Sequence, residues 1–176
     1  HWFLVVGCAA GVAAAWAIAR TIRRPAAKAD AWMPGALKDH TLAYAERTFR
    51  SGGDRQVVAR VDRAYRGRNG LITLVELKTR RTDRAHLSDV VELSAQRVAL
   101  GGETGESVAG IGWVVVESGA QRTAHRVTLM STRAVWDLAS RRDVLLAGTA
   151  PPNYPATRRV CDSCAHRRRC RLGAEL

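Results

Sequence analysis

Between Leu71 and Thr79 the chain reads LITLVELKT, and its apolar positions fall on both sides of an extended strand. Ile72 and Leu74 share a face with Glu76 and Lys78, while Leu71, Val75 and Leu77 occupy the other, because successive side chains alternate along a strand. A strand apolar on both faces belongs in the middle of a sheet. Upstream, Arg55 to Arg66 alternates through Val57, Ala59 and Val61 and predicts a second strand. Gly67-Arg68-Asn69-Gly70 between the two is a hairpin turn signal. Before it, GALKDHTLAYAERTFR (Gly35 to Arg50) sets Leu37, Leu42, Ala45 and Phe49 at helical spacing, and Ser51-Gly52-Gly53-Asp54 ends that predicted helix. Downstream, Ala85 to Leu100 reads as a helix, Ile111 to Glu117 as a strand, Arg122 to Met130 as its partner, and Ala134 to Ala147 as a last helix. Pro151, Pro152 and Pro155 mark a loop before a Cys/Arg tail. The order helix, strand, strand, helix, strand, strand, helix predicts an α/β sandwich around a central mixed β-sheet flanked by helices.

The N-terminus follows another pattern. Trp2 to Ala19 is an uncharged run of 18 residues. As a helix it would span about 27 Å, enough for a bilayer core. Arg20, Arg23, Arg24 and Lys28 follow it, so the positive-inside rule puts the rest of the chain in the cytoplasm, tethered to the inner membrane. A cleaved signal peptide fits less well, because the charges follow the apolar run instead of preceding it. The alternative is a buried or interfacial helix in a cytoplasmic protein. PAAKADAWMP (Pro25 to Pro34) is a linker with a proline at each end. The expected organisation is a hydrophobic helix over residues 1–24, a linker over 25–34, one α/β domain over 35–157, and a tail over 158–176.

The 176 residues suffice for one domain with a real core. Composition is that of a folded protein, with 47% hydrophobic and 25% charged residues. The charge is not ordinary: formally +12, mostly from Arg, which suits planar contacts to phosphate. Such a balance points to nucleic acid or an anionic membrane surface as partner; a solvated basic face is the plainer alternative.

Glu76 and Lys78 stand in the apolar heart of their strand, where a charge without a partner costs several kcal/mol or more. With Arg68-Asn69-Gly70 as a three-residue loop and Gly70 left-handed, Asp62 sits opposite Glu76. Two carboxylates and an amine then meet at one spot. Like charges that close are unfavourable unless a cation neutralises them. Mg²⁺ or Mn²⁺ would do so with oxygen ligands and keep positions open for water and a phosphate oxygen, the arrangement for metal-assisted phosphodiester hydrolysis. An ordinary ion pair is the competing reading.

The spacing Asp62, thirteen residues, Glu76, one residue, Lys78 resembles the PD-(D/E)XK nucleases, and more narrowly the RecB-like branch that includes the CRISPR-associated iron–sulfur nucleases. The resemblance covers roughly Gly35 to Cys170. It implies a restriction-endonuclease-like fold acting on DNA. Asp62 and Glu76 would bind the metal, with the Leu77 carbonyl as a further ligand and Lys78 as the catalytic lysine. Gln96 matches the glutamine of the Q-x-x-x-Y helix motif, whose tyrosine position here is Leu100. A Glu or His on the first helix often completes the metal site in such proteins, and Glu46 and His40 are the candidates, Glu46 preferred. Arg80, Arg81 and Arg84 would flank the mouth of the site, where a backbone phosphate passes. Tyr65 and Trp113 could stack on bases but read better as core or hairpin residues.

The tail VCDSCAHRRRC has Cys161, Cys164 and Cys170 in a C-x2-C-x5-C pattern, among Arg158, Arg159, Arg167, Arg168, Arg169 and Arg171. Clustered Cys in such a chain suggest a metal or cluster site over a disulfide scaffold. The resemblance implies a [4Fe–4S] cluster held by these three and one upstream Cys, here Cys8. Cys8 lies within the apolar run, so a membrane span and cluster ligation compete. Zinc with His166 as fourth ligand is the alternative; a three-Cys cluster or no metal remain open. Three functions follow: a Mg/Mn-dependent DNA endo- or exonuclease at the membrane; a non-catalytic nucleic-acid-binding module on the same fold; and an iron–sulfur or zinc sensor.

Overall fold

A computed structural model of the chain describes residues 33–153, 155, 158–162 and 164–170. The run Trp2–Ala19, Cys8, the linker up to residue 32 and Arg171 lie outside the described residues. Among the described residues, no helix is long and apolar enough to cross a membrane. The chain divides into two compact units, one up to Thr132 and one from Arg133 onward.

The first unit is built on a five-stranded sheet in the order β1-β2-β3-β4-β5. Its strands are β1 (Thr41–Arg50), β2 (Val58–Arg66), β3 (Ile72–Thr79), β4 (Ile111–Ser118) and β5 (Gln121–Thr128). β3 pairs in parallel with β4, and all other neighbours are antiparallel, so the sheet is mixed and β3 is its middle strand. Helix α1 (Leu87–Thr104) makes the crossover from β3 to β4. The apolar pattern of LITLVELKT is resolved as expected. Ile72 and Leu74 are fully buried with Leu93, Ala99 and Leu100 of α1 and with Phe49, Val114 and Val116. On the opposite face Val75 packs with Tyr65, Val115 and Leu37, and Leu77, Trp113 and Met33 lie against them. Tyr65 and Trp113 are thus core residues.

The β2–β3 turn also follows the sequence. Gly70 has φ +78°, a left-handed conformation that costs glycine little, and Gly67 closes the loop by donating to the Leu71 carbonyl at 3.0 Å. The resulting register pairs Arg66 with Ile72 and Arg63 with Val75.

One expected element is wrong. Gly35 to Arg50 is not a helix: a 3-10 turn over Gly35–Leu37 is followed by β1. Leu42, set on one helical face with Phe49 by that spacing, is half exposed, whereas Phe49 is fully buried. β1 pairs with β2 along nearly its whole length, and that ladder overrides a helical spacing of only four apolar positions. Ser51-Gly52-Gly53-Asp54 accordingly links two strands. Val57 donates to the Ser51 hydroxyl at 2.8 Å, and α1 comes so close that a Cβ at Gly102 would lie 2.9 Å from Ser51.

The second unit contains all of α2 (Thr132–Leu146) but its first residue, α3 (Arg158–Asp162) and a 3-10 turn over Arg167–Arg169. Arg141 ties α2 to the following loop through the Pro151 carbonyl at 2.7 Å and Asn153 at 3.2 Å.

Candidate active site

The β2–β3 ladder stops at Arg63 and Val75. One residue further, where Asp62 would face Glu76, a side chain replaces the backbone bond: Asp62 Oδ2 accepts from the Leu77 N–H at 3.0 Å. Asp62 is half-buried at this point of divergence. Glu76 is nearly fully buried, its side chain 3% exposed. Its Oε1 lies 2.7 Å from Lys78 Nζ, and its Oε2 accepts from Gln96 Nε2 at 2.6 Å. The three residues expected from the sequence therefore come together with Gln96 at the end of the hairpin.

Helix α1 organises this corner by meeting β3 rung by rung. Arg80 pairs with Asp89, Lys78 with Glu92 at 2.7 Å, and Glu76 with Gln96. Alternate residues of a strand are roughly 6.7 Å apart, and helix steps of three and four residues advance about 4.5 and 6 Å. The antiparallel helix thus keeps near-register with every second residue of the strand. Glu92 escapes the sequence reading. Its signal was present: Asp89, Glu92 and Gln96 share one helix face and complement Arg80, Lys78 and Glu76 in charge and hydrogen bonding.

Electrostatics follow from this packing. Burial pushes the Glu76 carboxyl up from 4.5 to about 7; hydrogen bonds from Lys78 and Gln96 oppose the shift, and the charges of Asp62 and Glu92 add to it. For Lys78, burial acts to lower the pKa, but hydrogen bonds to Glu76 and Glu92 outweigh it and hold the amine well above its ordinary value. A charged Lys78 favours an ionised Glu76, but burial of Glu76, the more enclosed partner, outweighs that help; Lys78, 27% exposed, keeps its charge through both carboxylates. Gln96 is fully buried, and its Oε1 has no partner.

The other expected residues fall differently. Glu46 lies on the edge strand β1, not on a helix. Its neighbours Ala45 and Arg47 pair with Arg63 and Val61, which puts it across from Asp62 in register. It has φ +51°, and its exposed carboxylate is taken by Arg60 at 2.5 Å. His40 sits against Gly67, at the hairpin turn, five residues along β2 from Asp62, or roughly 17 Å at strand rise. Leu100 is core. Arg80 is committed to Asp89 at 2.5 Å, and Asp89 also accepts from the His86 N–H at 2.7 Å; Arg80 joins strand to helix instead of projecting outward. These contacts, Arg80 chief among them, outweigh burial and hold the Asp89 carboxyl below its usual range. Arg81 and Arg84 are exposed, and their loop is fixed by Ser118 on the Arg81 carbonyl at 3.0 Å and by Asp83 against His125 at 2.7 Å.

A divalent cation fits the donor set. Asp62 and Glu76 are hard oxygen ligands, and a Mg²⁺-type ion asks a protein for only one or two carboxylates. Its charge would also offset the burial and the carboxylate repulsion that together raise Glu76. Among the described residues, no group of three or more His, Cys, Asp or Glu is placed so that it could hold a metal ion by itself, at this corner or in the cysteine tail. In the second unit, tight turns carry the Cys164 N–H to the Cys161 carbonyl at 3.2 Å and the Cys170 N–H to the Arg167 carbonyl at 3.2 Å. The three cysteines are free thiols, with Cys164 exposed, and His166 is exposed.

No curated protein matches the chain. Among solved structures, the crystal structure of SSO0001 is similar, with a TM-score of 0.50 and 19% identity over 78% of this chain; the chain spans 60% of that one, and the likeness is one of fold. The family model of the PD-(D/E)XK nuclease superfamily matches residues 9–171. Running through the hairpin, the helix behind it and the tail, that match shows that the chain belongs to this superfamily of generally hydrolytic, typically Mg²⁺- or Mn²⁺-dependent nucleases.

Proposed function

We propose that the chain is a divalent-metal-dependent nuclease that hydrolyses phosphodiester bonds of DNA. The observation that carries this reading is the meeting of Asp62, Glu76 and Lys78 where β2 leaves β3. Asp62 and Glu76 would hold the metal, with the Leu77 carbonyl as a further ligand, and the ion would supply polarisation of a phosphate oxygen and a more acidic water. Gln96 fixes Glu76 by its 2.6 Å hydrogen bond and acts as a positioning residue. Lys78, 2.7 Å from Glu76 and from Glu92, donates hydrogen bonds to the charge that develops on the phosphate. Exposed Arg81 and Arg84 contact the backbone phosphates on either side. Arg80 and Glu46 have other partners, Asp89 and Arg60, and have no part in this scheme.

The formal charge of +12 supports a polyanionic substrate. The Gln96 helix and the cysteine spacing favour the RecB-like branch. On that reading Cys161, Cys164 and Cys170 hold a metal centre, an iron–sulfur cluster with Cys8 or zinc with His166; iron and zinc content of the purified chain separates these. The run Trp2–Ala19 is proposed to tether the chain to a membrane, which co-sedimentation with vesicles tests. The reaction itself is tested by incubating labelled DNA and RNA with the chain in Mg²⁺, in Mn²⁺ and in chelator, beside Asp62→Asn. Cutting of DNA that needs metal and Asp62 is expected. Cutting that survives chelation or the substitution would refute the reading.

A further inference from the structure

We propose that Glu92 is the positioning residue for Lys78 in the metal-loaded site, a role that rests on the nuclease reading above. Lys78 Nζ has two carboxylate partners, Glu76 Oε1 and Glu92 Oε2, each at 2.7 Å. Metal binding at Glu76 would weaken the first of them. A cation held by Glu76 draws on the same carboxylate and repels the ammonium beside it. Glu92 stands on α1, one helical turn from Gln96, and both project onto β3. The two helix residues thus divide the work. Gln96 fixes Glu76, and Glu92 would keep the ammonium over the corner when Glu76 is engaged by the metal. Its side chain is 48% exposed, against 3% for Glu76. It therefore acts on Lys78 from the solvent side, where a phosphate must enter, and its truncation leaves no buried cavity.

Lys78 is one of only three lysines in the chain, with Lys28 and Lys38. Its ammonium signal in a ¹⁵N NMR spectrum is therefore assignable by comparison with Lys78→Ala. The full chain is observed without nucleic acid, first metal-free and then with saturating Mg²⁺. In the wild type the protected Lys78 signal shifts on adding Mg²⁺ but persists. In Glu92→Ala it persists metal-free, where Glu76 still holds it, and is lost with Mg²⁺. Glu92→Gln, whose amide oxygen can still accept, retains it. In the cleavage assay Glu92→Ala lowers kcat tenfold or more, leaves KM for DNA and the affinity for Mg²⁺ unchanged, and has no further effect in the Lys78→Ala background. A signal that survives Mg²⁺ in Glu92→Ala, or a fall in Mg²⁺ affinity that makes Glu92 a ligand, overturns this role while leaving the metal site intact. A wild-type spectrum indifferent to Mg²⁺ overturns the metal site and this role with it.

Discussion

Replacing Glu76 by Gln should stabilise the metal-free protein at neutral pH, although it removes a central residue of the site. The reasoning is linkage. The folded state holds the Glu76 proton up to about pH 7, whereas the unfolded chain releases it near 4.5. Between those values the native state binds more protons, so stability falls as pH rises and is fully reduced above pH 7. A shift of that size corresponds to about 3 kcal/mol. Gln is nearly isosteric, can still accept from Gln96, and has no charge to bury. The stability difference between variant and wild type should therefore be small near pH 4 and grow by about 3 kcal/mol in favour of the variant by pH 8. Urea unfolding of both chains in chelator, at matched pH steps, measures this directly, since other titrations largely cancel. A difference independent of pH would refute the reasoning. A difference that grows in favour of the wild type would show that the 2.7 Å contact with Lys78 dominates burial.

Other substitutions separate structural from substrate-facing roles. Gln96→Leu leaves Glu76 Oε2 without its buried donor and should cost about 2 kcal/mol in denaturant unfolding while lowering cleavage. Arg80→Ala strands the buried Asp89 carboxylate and should cost about 3 kcal/mol, with the salt dependence of DNA binding little changed. Arg81→Ala and Arg84→Ala should leave stability within about 0.5 kcal/mol and each reduce the slope of log affinity against log salt by about 1.

The hairpin and its charges were legible because one turn fixed them. A left-handed Gly70 sets the register, and the register brings Asp62 beside Glu76. The middle position of β3 was legible because both of its faces are apolar. β1 was not legible: TLAYAERTFR carries helix formers at helical spacing, and only pairing with β2 makes it a strand, one whose outer side faces solvent and shows no apolar alternation. The fate of Arg80 was hidden for a related reason. Proximity to the motif suggested phosphate, but alternation along β3 turns Arg80 to the same side as Glu76 and Lys78, where Asp89 waits. Glu92 lay within reach of sequence reasoning, had the helix face been matched to the strand residue by residue.

Single-turnover cleavage of labelled single- and double-stranded DNA by the full chain in Mg²⁺, beside Lys78→Ala, tests the central claim most directly. The account predicts cutting by the wild type and a loss of at least a hundredfold in the variant, with DNA still bound by both. Cutting unchanged in Lys78→Ala, or none by the wild type under conditions where it binds DNA, would contradict it.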